Sequence, residues 1–167
     1  MNIAAGSLAG LIVTEQMRFI QGEACTTGKY SSSNICIDCA AGKFSDAVGA
    51  SVASTCGDCG AGKYSAADAS TVCTDCAAGK FSDAVGASVA STCADCEAGK
   101  YSAADASTVC TNCTANSNSM TGSDAALDCI CNAGFTSDGA GGNPATKLCR
   151  KCPINTYKDW AGDQVRA

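Results

Sequence analysis

The cysteine register constrains this chain more than any other feature. From Cys39 onward, successive CxxC pairs are separated by 16, 13, 16 and 13 residues. The register belongs to a near-literal duplication. Residues 40–76 and 77–113 agree at 34 of 37 positions, and the only changes are Gly57 to Ala94, Gly60 to Glu97 and Asp75 to Asn112. Each 37-residue unit divides into halves of 20 and 17 residues. Both halves read Cys, two residues, Gly-Lys, an aromatic, Ser, a loop of small residues, then Cys-x-x-Cys. Internal repetition at this scale indicates one supersecondary unit used again and again.

The aromatic is tied to the cysteine. Tyr30, Phe44, Tyr64, Phe81, Tyr101 and Tyr157 each lie five residues after a cysteine, and Phe135 lies four after Cys131. Only Phe19 and Trp160 stand outside this spacing. So fixed a distance predicts one packing unit, with each ring lying on a disulfide as a miniature core. The Gly-Lys-aromatic-Ser segment predicts a short strand entered through a glycine turn. Loops such as DAVGASVAST and AADAST suit tight turns and not helices.

A chain of 167 residues is long enough to bury one large core. This one lacks the side chains for it. Aromatics make up 5%, and large aliphatics are scarce after residue 20. Fifteen cysteines stand in their place, a density that marks a disulfide scaffold. Such links persist in oxidising compartments, so a secreted or extracellular-surface location is expected. A zinc-ribbon reading of CxxC-x16-CxxC competes. Against it, the spacing runs on without grouping into fours, and Cys25 stands alone.

The repeat supplies a pairing rule. The second cysteine of each CxxC opens a loop, and the first of the next closes it. The rule yields Cys25–Cys36, Cys39–Cys56, Cys59–Cys73, Cys76–Cys93, Cys96–Cys110, Cys113–Cys129 and Cys131–Cys149, and leaves Cys152 with a partner expected outside the chain. An interlaced scheme, first to first and second to second, is the rival, and it accommodates Cys25 and the Cys129-Ile-Cys131 pair less well.

The expected fold class is small and disulfide-rich: tandem cysteine-rich repeats of short β-hairpins and irregular loops, forming an elongated rod. The expected segments are an apolar docking segment over 1–24, a partial module over 25–39, repeat 1 over 40–76 and repeat 2 over 77–113. A variant module follows over 114–152, without the Gly-Lys-aromatic signature and with an epidermal-growth-factor-like CxC turn. A truncated further repeat begins at 153–167. The run from residue 3 to 13 is too short to span a membrane and lacks a basic leader before it, so it reads as structure. Leu11, Ile12, Val13, Phe19 and Ile20 are its candidate docking residues.

Catalysis and ligand chemistry find little to work with. There is no histidine, which removes the commonest general base and metal ligand. No catalytic residue, metal site or cofactor is expected. The net charge is −5 with the basic residues spread singly, which argues against nucleic-acid binding. The aspartates of Cys-x-Asp-Cys (Asp38, Asp58, Asp75, Asp95) could ligate calcium, but they read better as caps on the turn backbone. Asp46, Asp68, Asp83 and Asp105 read as solvated turn residues. Lys29, Lys43, Lys63, Lys80 and Lys100 read as strand-edge solubilisers. Asn112-Cys113-Thr114 is a glycosylation sequon, and Asn34-Ile35-Cys36 is its rare cysteine form.

The run CxxC-x-A-G-K-[FY]-S-x(n)-CxxC, followed by C-x-C-N-A-G-F and CxxC-P-x-x-T-Y-K, resembles the ephrin-receptor-like cysteine-rich repeat. That repeat is related in style to the tumour-necrosis-factor-receptor and growth-factor-receptor modules. The resemblance covers residues 25–167. It implies an extracellular, rod-like, non-catalytic protein of the kind abundant in large algal and protist surface proteins. The leading expectation is a structural spacer or assembly element of a fibre or surface appendage. The alternative is the stalk of a cell-surface receptor or adhesin. The expected partners are further copies of the chain, neighbouring domains of a longer protein, and glycans.

Overall fold

The computed structural model describes residues 24–137 and 148–154. Segment 1–24 (Ala24 excepted) and most of 153–167 lie outside this range, so the candidate docking residues Leu11, Ile12, Val13, Phe19 and Ile20 do too, as do Tyr157 and Trp160.

The described residues form a series of seven two-stranded antiparallel hairpins in chain order. β1 (Lys29–Ser32) pairs with β2 (Ile35–Asp38), β3 (Lys43–Phe44) with β4 (Gly57–Asp58), and β5 (Lys63–Tyr64) with β6 (Thr74–Asp75). β7 (Lys80–Phe81) pairs with β8 (Ala94–Asp95), and β9 (Lys100–Tyr101) with β10 (Thr111–Asn112). β11 (Ser117–Asn118) pairs with β12 (Ile130–Cys131), and β13 (Phe135–Ser137) with β14 (Cys149–Lys151). Strands of two residues carry little ladder energy of their own, and an isolated hairpin is marginal in water. Other links must hold them.

Those links are disulfides. Seven bridges join Cys25 to Cys36, Cys39 to Cys56, Cys59 to Cys73, Cys76 to Cys93, Cys96 to Cys110, Cys113 to Cys129 and Cys131 to Cys149. Each bridge runs from the second cysteine of one pair to the first of the next, and each closes one hairpin. The seven hairpins are therefore seven modules, numbered here in chain order. Modules 2, 4 and 6 have long loops that end in a short 3-10 turn (Ala53–Thr55, Ala90–Thr92, Ala126–Asp128). Modules 3 and 5 have shorter loops.

The interior is made of cysteine and serine. The fully buried side chains are Cys39, Cys59, Cys76, Cys96 and Cys131, all of them loop openers. In modules 2 to 6 the serine six residues after the opener is buried as well: Ser45, Ser65, Ser82, Ser102 and Ser119. The rings are only half-buried, which corrects the expectation that they form miniature cores. Phe44 instead lies across the hairpin from Gly57, with its Cε1 3.6 Å from where a Cβ would stand.

Module 6 lacks the Gly-Lys-aromatic signature, as read from the sequence. It is no variant in its backbone. Asn116 stands three residues after Cys113, where the other modules have glycine, and it takes φ +63°. Asparagine is among the few residues that enter this left-handed region at low cost. Ser119 keeps the buried serine position. What module 6 has lost is the lysine and the ring, replaced by Ser117 and Asn118.

Candidate functional site

The feature repeated most faithfully is the joint between modules, and it is made of backbone. Three hydrogen bonds recur at each joint. In the first, the glycine three residues after an opener donates its N–H to the buried serine carbonyl of the next module. Gly28 donates to Ser45, Gly42 to Ser65, Gly62 to Ser82, Gly79 to Ser102 and Gly99 to Ser119, all at 2.7–3.0 Å. In the second, the serine donates to the next module's loop. Ser31 donates to Ala50, Ser45 to Ser70, Ser65 to Ala87, Ser82 to Ser107 and Ser102 to Ser123. In the third, that loop donates back to the opener carbonyl. Gly49 donates to Cys25, Ala69 to Cys39, Gly86 to Cys59, Ala106 to Cys76 and Gly122 to Cys96. The same triple thus binds modules 1 to 6 in sequence. Groups that would otherwise lie unpaired at the ends of two-residue strands are satisfied by the neighbouring module, as buried backbone requires.

The joint reaches one module further. The turn glycines take φ of +77° to +85° and are pressed by loops two modules downstream. A Cβ on Gly28 would stand 2.0 Å from the Ala69 carbonyl oxygen, and one on Gly62 would stand 2.1 Å from that of Ala106. Gly42 and Gly79 meet the carbonyls of Gly86 and Gly122 at 2.3 and 2.4 Å in the same way. Each loop therefore sits on two earlier modules at once. It hydrogen-bonds the nearer and packs on the farther. Side-chain spacing could not reveal this contact, because glycine and main-chain oxygen make it.

Two aspartates lock the same joint. Asp68 Oδ1 accepts from the Ala41 N–H, and Asp105 Oδ1 from the Ala78 N–H, each at 2.9 Å across 27 residues of chain. These were expected to be merely solvated. They do the backbone capping that was assigned to the aspartates of Cys-x-Asp-Cys.

Those other aspartates have a different partner. The hairpin register sets Lys29 opposite Asp38, Lys43 opposite Asp58, Lys63 opposite Asp75 and Lys80 opposite Asp95. Each ammonium reaches the facing carboxylate at 2.5 Å. The lysines and aspartates are therefore cross-strand ion pairs, neither solubilisers nor caps. They are exposed, and each contributes at most about 1 kcal/mol. Among the described residues no group of three or more metal-ligating side chains comes together.

One hairpin breaks this rule in an informative way. In module 5 the facing residue is Asn112, and Lys100 turns to Glu97 at 3.0 Å. The two substitutions Gly60 to Glu97 and Asp75 to Asn112 are thus halves of one change: the lysine keeps an anionic partner. Glu97 also walls a groove of about 280 Å³ with Phe81, Asp95, Lys100 and Val109, at the small end of ligand-site volumes. Asn112 itself is exposed. Cys152 is half-buried and is in no bridge among the described residues.

The bridges differ in access. The closing cysteines of the long-loop modules, Cys56, Cys93 and Cys129, are buried, whereas Cys36, Cys73 and Cys110 are half-exposed. Exchange requires a thiolate to reach a sulfur. Limiting reductant followed by alkylation is expected to label Cys25–Cys36, Cys59–Cys73 and Cys96–Cys110 before Cys39–Cys56 and Cys76–Cys93, whose cysteines are all buried, as read by peptide mass mapping. Uniform labelling would contradict the alternation.

A second surface feature escaped the sequence reading. Modules 2 to 5 all carry exposed valines: Val48 and Val52, Val72, Val85 and Val89, and Val109, each more than half exposed. They recur with the repeat and contribute nothing to the interior.

Comparison with known proteins finds no matching family model and no matching curated relative. The geometry shows a tandem array of disulfide-bonded hairpins, joined module to module by a constant set of backbone bonds. Seven disulfides place such a chain in an oxidising environment, and among the described residues no helix is long and apolar enough to cross a membrane.

Proposed function

We propose that the chain is a non-catalytic extracellular rod, of the ephrin-receptor-like cysteine-rich kind, which acts as a spacer and assembly element of a fibre or surface appendage. The observation that carries this reading is the constancy of the joint. Five successive joints use the same three hydrogen bonds, so modules 1 to 6 are each set on the next in one way. Quasi-one-dimensional stacking of this sort transmits length and direction, and it presents the same surface at regular intervals. The exposed valines recur at those intervals, which suits side-by-side contact between copies better than recognition of a single ligand.

Electron microscopy of the oxidised protein tests the reading. Filaments or laterally paired rods are expected, and replacement of Val48, Val52, Val85 and Val89 by Ser is expected to disperse them. Isolated monomers at every concentration would overturn the assembly role and favour the stalk of a receptor or adhesin.

A further inference from the structure

We infer that Asn112 carries the chain's N-linked glycan, and that the second repeat is built to make room for it. The inference rests on the extracellular reading above. Its starting point is the residue occupying the last strand position before each opener. In modules 1 to 4 that residue is an aspartate held by the facing lysine. A sugar on that side chain would cost the hairpin its ion pair. Module 5 alone has asparagine there, and there alone Lys100 has a second anion, Glu97. The Asn112 side chain is thereby left exposed, without a lysine to hold it. Thr114 completes Asn-x-Thr two residues on, the triplet that glycosylation of secreted proteins requires. Asn112 lies on a strand of two residues. Its register partner is Lys100, and the residue is exposed.

The order of synthesis favours this site over the other sequon. The bridge that uses Cys113 must wait for Cys129, 16 residues later. Until then Cys113 and Thr114, the last two residues of the triplet, lie outside any closed loop. The cysteine-type triplet at Asn34 ends in Cys36, whose partner Cys25 has already been made. That bridge can close at once and tie the triplet into a hairpin whose turn holds Asn34 at φ +62°. One glycan is expected, at Asn112 and not at Asn34.

The chemistry needs an oligosaccharide donor carried on a lipid pyrophosphate, the donor class of the secretory pathway. The amide Nδ2 of Asn112 forms a bond to the anomeric carbon of the first sugar. The bond from that carbon to the pyrophosphate oxygen breaks, the lipid pyrophosphate leaves with the electron pair, and Nδ2 gives up one proton.

The test is expression of the full chain behind a secretion leader in a eukaryotic host, with free thiols counted and the Asn112 peptide read by mass before and after an amidase that removes N-glycans. A glycan lost on treatment, leaving aspartate at position 112, is the expected result. Thr114→Ala should abolish it with the bridges intact, and Thr114→Ser should retain it. Asn112→Asp should abolish it and still yield secreted, bridged protein, because Lys100 regains the aspartate its counterparts have. Secreted, fully bridged protein with an unmodified Asn112 would overturn the inference alone. A chain recovered only inside the cell with its thiols free would overturn the extracellular reading and this inference with it.

Discussion

Exhaustive reduction followed by alkylation is expected to unfold the whole array at room temperature and neutral pH. The bridges close loops with sequence separations of 11 to 18. In the chain-entropy account each closure contributes roughly 3 kcal/mol, so seven amount to about 20 kcal/mol. That exceeds the net stability of an ordinary domain, about 5–15 kcal/mol. Little else can compensate. The buried set consists of cysteines, serines, turn glycines and two alanines, Ala50 and Ala87, and the cross-strand ion pairs are exposed. Small-angle scattering should show a collapse of the regular spacing into a coil, and circular dichroism the loss of the turn and strand signal. A reduced, alkylated chain that kept its oxidised dimensions would mean that the backbone joints alone hold the fold.

The second large effect is expected from one methyl group. Gly62→Ala places a Cβ at a backbone φ of +80° and 2.1 Å from the Ala106 carbonyl oxygen. The left-handed conformation costs an alanine about 1–2 kcal/mol by itself. The carbonyl cannot yield freely, because Ala106 donates its own N–H to Cys76 on the intervening module. A total loss of about 3 kcal/mol or more is expected, concentrated at one joint. Gly60 is the control. It lies two residues away in the same turn, has no atom within 4 Å of the added Cβ, and is a glutamate in the second repeat. Gly60→Ala is expected to change stability by less than about 0.5 kcal/mol. Hydrogen exchange reads the difference directly. In the Gly62 variant the amides of Gly62, Ser65 and Gly86 should lose protection, while those of modules 1 and 2 keep it. Equal effects at both positions would refute the two-module contact.

What the sequence made legible follows from what is local. A disulfide that closes one hairpin leaves its mark as a spacing, and the spacing repeats, so the hairpins and their short strands could be anticipated from Cys39 and the residues after it. The lysine-aspartate pairs were within reach for the same reason. Lys43 and Asp58 are register partners once Cys39 and Cys56 are joined, yet the short polar side chain suggested a cap because such caps are common in turns. Asn116 could have been found by counting three residues from Cys113 instead of searching for Gly-Lys. The joints were beyond reach. They bring together residues 17 to 44 positions apart through main-chain atoms, and a glycine pressed by a distant carbonyl looks, as a letter, like any other turn glycine. The two neighbouring glycines Gly60 and Gly62 differ only in three dimensions.

The contact from each loop to the second module before it has a consequence for how such a chain can change in length. Ala69 rests on Gly28 and Ala106 on Gly62, short loop upon short-loop module, while Gly86 rests on Gly42 and Gly122 on Gly79, long upon long. Excising or inserting one module would place the loops that straddle the junction against the other class of neighbour. Excising or inserting two would leave all matches unchanged. A step of two modules, the 37-residue block that the chain carries twice, is therefore the shortest that leaves every match in place.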